Sequence, residues 1–329
     1  MKKSFLFIAM TLTSLFVRAE NTPTNKTETA VTTEAAAAAK KWNLNFSQYH
    51  YSFKGQDAAN TQIYKFGQGQ LDMSLLTATY TASADWSFLT FVPYLKNEFE
   101  TIYEPVAGGL NFTGTDKTQG LGDIRFMAMN TVSLNPEHMT FVDIGFTAPT
   151  GSIDERFTSN PAQRASYNMQ LGSGTYDIYL GATVLNFSEK VNSKARVQAA
   201  LRTGKNKNDW AHGDEYLAQA SSFYQAAQWL ELGGTTQIKS RMAVKGMDKE
   251  YELMSNYVGT QGIHGDGHQY YRAAQTNWDI TAVAKIKTQI KAVTASVELG
   301  LPVAQGFKNK DDVDLNTVYS AAATVSGSF

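Results

Sequence analysis

Beyond residue 41 this chain repeats one pattern, short segments in which apolar and polar residues alternate with a period of two. Along 139–148, Val142, Ile144 and Phe146 share one face, and Asp143, Gly145 and Thr147 share the other. Ile178, Leu180, Ala182 and Val184 likewise oppose Asp177, Tyr179, Gly181 and Thr183, and Ala195, Val197, Ala199 and Leu201 oppose Lys194, Arg196, Gln198 and Arg202. Ile238, Met242 and Val244 oppose Lys239, Arg241 and Lys245. A period of two belongs to a β-strand, whose successive side chains point to opposite sides. Because charges keep to one parity, one face suits hydrocarbon and the other a watery interior.

Twelve segments carry this pattern: 42–53, 61–81, 85–96, 120–133, 139–148, 174–187, 193–203, 216–230, 235–245, 270–287, 290–302 and 315–329. Their connections alternate strictly between long and short. The short ones read "ASA" (82–84), "LNPEH" (134–138), "SEKVN" (188–192), "ELGG" (231–234) and "TQ" (288–289). The long ones include 97–119, 149–173 and 246–269. Greek-key sandwiches do not sort loop length by parity, whereas a transmembrane barrel does, with short periplasmic turns and long outer loops. The expected fold is therefore all-β, a transmembrane antiparallel up-and-down β-barrel of about twelve strands (42–329). No run of 18 apolar residues interrupts it, so no transmembrane helix is expected. Tyr80, Trp86, Tyr94, Trp229 and Trp278 fall near strand ends, where amphipathic rings suit the membrane interface.

The first residues fit an outer-membrane destination. "MKKSFLFIAMTLTSLFVRA" (1–19) has the basic start, apolar stretch and small-residue end of a cleaved signal peptide. Residues 20–41 are Thr- and Ala-rich, with little to bury, and read as a low-complexity periplasmic tail. Cysteine is absent, which excludes a lipid-anchored cysteine, a disulfide framework and a thiolate metal site. Removing Lys2, Lys3 and Arg18 takes the 29 basic residues to 26 against 30 acidic ones, a balance of −4 that offers nucleic acid no basic surface. The expected location is the outer membrane of a Gram-negative bacterium, with its lipid and the barrel-assembly machinery as partners. From Leu315 the last segment places Tyr319, Ala321, Ala323, Val325 and Phe329 on one face. A terminal Phe329 after alternating apolar positions resembles the signal by which such barrels are recognised for assembly.

Three stretches rise above the barrel pattern: "QGLGDIRF" (119–126), "FTAPTGS" (146–152) and "LGSGTYDIYLGA" (171–182). Gly120 and Gly122 permit a tight entry into a strand, and Pro149-Thr150-Gly151 leaves one through a turn. Their order and spacing resemble the meta-pathway phenol-degradation family of outer-membrane barrels, over about 65 residues. That family is similar to long-chain fatty-acid transporter-like barrels, so the resemblance implies passage of hydrophobic or aromatic compounds.

Asp123, Arg125, Asp143 and Asp177 face inward on three consecutive strands and are candidates for a group at the pore mouth, with Asp143 deeper and nearer Arg125. They could tie loops 97–119 and 149–173 to the wall and set the width of the mouth. The segment 85–96 is apolar on both faces, and Leu89 and Phe91, with Phe141 and Tyr179, suggest an apolar lumenal patch for a hydrophobic solute. The sequence equally allows these residues to pack against a loop folded inside. No nucleophile stands at a fixed spacing from any of the five histidines, and no catalytic residue, cofactor or metal is expected. "HGDGH" (264–268) has metal-binding residue types, but its glycines mark it as an exposed loop tip. The function expected is passive passage of small hydrophobic or aromatic solutes. The alternative is a structural or surface-binding, adhesin-like barrel without transport.

Overall fold

The computed structural model describes residues 41–55, 64–103, 112–135, 137–158, 161–162, 164–250, 275–290, 292–308 and 315–328. The signal-peptide reading, nearly all of the tail, "HGDGH" and Phe329 lie outside them. The strands are β1 (Lys41–Gly55), β2 (Tyr64–Thr81), β3 (Trp86–Tyr103), β4 (Phe112–Leu121), β5 (Ile124–Leu134), β6 (His138–Ala148), β7 (Tyr176–Phe187) and β8 (Val191–Thr203). They continue with β9 (Trp210–Ala211), β10 (Glu215–Ala227), β11 (Leu230–Arg241), β12 (Lys245–Gly246), β13 (Gln275–Ile290), β14 (Val293–Lys308) and β15 (Leu315–Ser328). β9 and β12 pair with each other as a two-residue ladder between loops. The others form one antiparallel sheet that closes on itself, with β1 hydrogen-bonded to both β2 and β15.

The wall has twelve staves, because β4 and β5 are one stave interrupted at Gly122–Asp123. β3 pairs with β4 above the break, from Tyr94↔Leu121 to Tyr103↔Phe112, and with β5 below it, from Phe91↔Arg125 to Trp86↔Asn130. Pro93 lies opposite the break and has no N–H to give, and its carbonyl accepts from Gly122 instead, 2.9 Å. Connections 82–85, 135–137, 188–190, 228–229 and 291–292 gather at one rim, and the longer ones at the other.

Outward and inward sets follow the parity read from the sequence. Val142, Ile144, Phe146, Ile178, Leu180, Val197 and Ile238 are exposed on the outside, while Asp143, Asp177, Thr183, Arg196 and Lys239 are buried inside. In a chain without bound lipid, such outward exposure is the surface hydrocarbon would cover. Trp42 and Tyr80 meet on the outer surface near the short-turn rim at 4.9 Å, and Trp86 and Trp229 are also exposed near that rim. Tyr94, Tyr176, Tyr216 and Trp278 form the opposite girdle. Trp86 and Tyr94 are eight residues apart on β3, which spans roughly 20 Å of membrane at the usual strand tilt.

The structure corrects the sequence reading at five points. β3 runs on to Tyr103 and β4 begins at Phe112, so most of 97–119 is hairpin rather than loop. Its outward residues Lys96, Glu98 and Lys117 are polar because this hairpin rises past the apolar belt, and the Glu98–Lys117 pair (3.0 Å) sits there. "ELGG" and "TQ" are not turns, for β10 and β11 turn at 228–229, and β13 runs through Thr288 and Gln289 to turn into β14 at 291–292. Gly233 instead lies under its neighbour in the sheet: a Cβ there would meet Ser222 O at 2.1 Å and the Phe223 ring at 2.8 Å. Val244, expected on the outer face, is buried beyond the end of β11. Finally, β15 changes register against β1 between Ser52↔Tyr319 and Phe53↔Thr317, so Val318 is bulged and the alternation along this strand does not extend below Tyr319.

Candidate functional site

The lumen is divided lengthwise. β1, β2, β3 and β5 send Tyr49, Met73, Leu75, Leu89, Phe91 and Met127 inward as one apolar arc. Tyr51 joins this arc to a second cluster at the long-loop rim, where Phe53, Leu71 and Phe99 of the wall meet Ile153, Ala165, Tyr167, Met169, Trp210 and Val244. The latter residues come from the connections 149–175, 204–214 and 242–250, which therefore fold over the mouth as a cap. Trp210 is fully buried, with its ring 4.6 Å from Tyr167 and edge-on to His212 at 5.0 Å. Arg164 ties the cap's pieces together through Asp154, Asp248 (3.3 Å) and Glu250 (3.4 Å). Burial alone would raise the Asp154 carboxyl, but Lys207, Asn208 and Arg164 outweigh it and hold it near 2. Burial, reinforced by Arg202 and Arg241, pushes the His212 imidazole down to about 3, so it is neutral.

The opposite arc, from β6 to β14, carries most of the lumen's charged pairs. Arg196 grips Asp143 through two bonds of 2.9 Å and reaches Thr183 at 2.7 Å. The two partners belong to β6 and β8 and meet above Gly181 of β7, where a Cβ would stand 2.6 Å from the carboxylate and 2.8 Å from the guanidinium. Nearer the cap, Arg202 bonds both Asp177 and Glu215 (2.5 Å), and Lys239 bonds Glu215 (2.5 Å). Lower down, Lys287 pairs with Glu231 at 2.6 Å.

The four mouth candidates thus separate into four settings. Asp123 accepts hydrogen bonds from the Gly151 amide (2.8 Å), the Ser173 amide (2.7 Å) and the Ser173 hydroxyl (2.8 Å). Thr150 donates to Gly122 O at 2.8 Å and accepts from the Ile124 amide at 3.0 Å. The three motif stretches therefore meet in one knot, which fastens connection 149–175 to the broken stave. Gly151 and Gly172 lie so close within it that a Cβ on Gly172 would meet Gly151 O at 2.6 Å. Asp143 is not beside Arg125 but pairs with Arg196, and Asp177 belongs with Arg202. Arg125 stands at the seam between the two arcs. It is the ladder partner of Phe91, and its guanidinium lies 3.7 Å above the Tyr179 ring.

Of the four apolar candidates, Leu89 and Phe91 lie in the arc. Tyr179 and Phe141 are buried inward beyond it, Tyr179 under Arg125. The reading missed Tyr49, Met73, Leu75 and Met127. "LDMSLL" carried the signal, since Leu71, Met73 and Leu75 share a parity that need not be lipid-facing. On the outer surface, His50 lies between Asp72 (2.7 Å) and the Tyr319 hydroxyl (3.2 Å).

No family model matches the chain, and no curated protein matches it. Solved structures do. The COG4313 outer membrane channel from Pseudomonas putida F1 superposes with a TM-score of 0.56 at 13% identity, over 88% of this chain and 95% of that one. The NanC porin (TM-score 0.42, 8% identity, 86% and 98% covered) and the Ralstonia pickettii toluene transporter TbuX (0.40, 9%, 88% and 90%) superpose more loosely. At 13% identity the likeness to the first is one of fold: this chain has the architecture of an outer-membrane β-barrel.

Proposed function

We propose that this barrel sits in the outer membrane of a Gram-negative bacterium and passes small hydrophobic or aromatic solutes without cofactor or energy coupling. The observation that carries this reading is the inward apolar arc of Tyr49, Met73, Leu75, Leu89, Phe91 and Met127. An arc of this kind offers a greasy solute a path along the lumen that a sugar cannot use. The cap gates the mouth, and the Asp123 knot holds it to the wall. Flux into liposomes tests both parts. Benzyl alcohol should enter protein-bearing vesicles faster than protein-free ones, and glucose should not. Asp123→Ala should raise single-channel conductance while the melting curve keeps its shape. If neither solute enters, the alternative of a surface-binding barrel, which the loop cap also suits, takes over.

A further inference from the structure

We infer that Arg125 is the anchor of a lumenal site for small aromatic carboxylates, a claim that rests on the passage reading above and narrows its solute class. The other arginines described on the polar arc have carboxylates or a place in their networks: Arg196 has Asp143, and Arg202 has Asp177 and Glu215. Arg125 has none among the described residues. The one contact described for its guanidinium is the Tyr179 ring, and its buried Nε has no hydrogen-bond partner among them. A guanidinium held over an aromatic face keeps its full charge and its planar fork, while the stacking fixes its position. Arg125 is half-buried, and partial withdrawal of such a cation from water without a counter-charge is unfavourable, a penalty that a bound carboxylate relieves through two parallel N–H···O bonds.

What flanks the fork sets the rest of the ligand. Phe91 is the direct ladder partner of Arg125, so their Cβ atoms stand about 5 Å apart, and the half-buried Leu89 continues the apolar wall from there, with Phe91 and Met127 buried behind it. A ligand with its carboxylate on Arg125 would lay a ring of about that reach along Phe91. A neutral aromatic gains only the wall, and a short aliphatic acid gains only the fork.

Calorimetry on the refolded full chain in detergent, with benzoate, benzyl alcohol and acetate as probes, tests the assignment. Benzoate should bind about tenfold or more tightly than either other probe, as expected for one charge-assisted bidentate contact. Arg125→Met should bring benzoate down to the level of benzyl alcohol and leave benzyl alcohol unchanged, and Arg125→Lys should retain part of the preference. Phe91→Ala should weaken benzoate and benzyl alcohol alike. Should Arg125→Met fail to fold, the wild-type ranking and Phe91→Ala still decide. Equal binding of benzoate and benzyl alcohol by the wild type, or a preference that survives Arg125→Met, overturns the site. Benzoate binding without benzyl alcohol flux would instead retire the passage reading and leave the site standing.

Discussion

Gly181 has no side chain, and the Asp143–Arg196 bridge passes through the space this leaves. Removing the acid strands a guanidinium that is 5% exposed. Asp143→Ala should therefore cost about 3–5 kcal/mol in denaturant titrations of the vesicle-embedded protein. Gly181→Ala should cost less, since the pair can shift rather than break, and should add little once Asp143 is already alanine. Full additivity would place the Gly181 effect in the backbone instead. At this scale the sequence showed which side of the wall each residue takes, because parity alone decides that. It did not show partners: Asp143 looked close to Arg125 but reaches Arg196, two staves away. Which residues share a depth depends on the stagger between strands, and no period in one strand records it.

Elements behave differently in the membrane and above it. Where lipid demands an apolar face, strand limits were legible within a few residues, as for β6 and β7. Where the β3–β4 hairpin rises into water, both outward and inward positions can be polar, and it reads as loop. The cap was illegible for a related reason, since its core is assembled from residues scattered without a period through three separate connections. His212 gives it a testable pH response. Its folded pKa of about 3 lies below the ordinary value of 6.5, so an opened cap binds the proton more readily than the closed one. Closure is thus fully favoured above about pH 6.5 and weakens progressively as pH falls towards 3. Hydrogen exchange at the Trp210 and Ala211 amides should accelerate between pH 7 and 5, after correction for intrinsic rates, and His212→Gln should flatten the dependence. An unchanged profile in that variant would assign the opening to other groups.

For the molecule as a whole, the sorting of connections by length survives even where individual boundaries moved, because it depends on which rim a connection occupies rather than where it starts. Absence of native cysteine makes orientation easy to measure. Lys205→Cys, at the long-loop rim, should react with an impermeant maleimide on intact cells, whereas Glu189→Cys and Gln228→Cys should react only after lysis. The reverse pattern would invert the barrel.

The seam between β1 and β15 carries a temporal consequence. Ser47 and Thr324, 277 positions apart, share a hydrogen bond across it, 3.0 Å. Every other barrel ladder joins strands that are near neighbours along the chain, so those hairpins can zip locally and early. The seam alone must wait for the two extremes of the sheet to find each other, and until then both edges offer unpaired amides and carbonyls to any strand nearby. Maturation should consequently pass through a twelve-stave sheet that is complete in composition yet still open, and deleting β15 should leave that sticky sheet rather than a smaller pore.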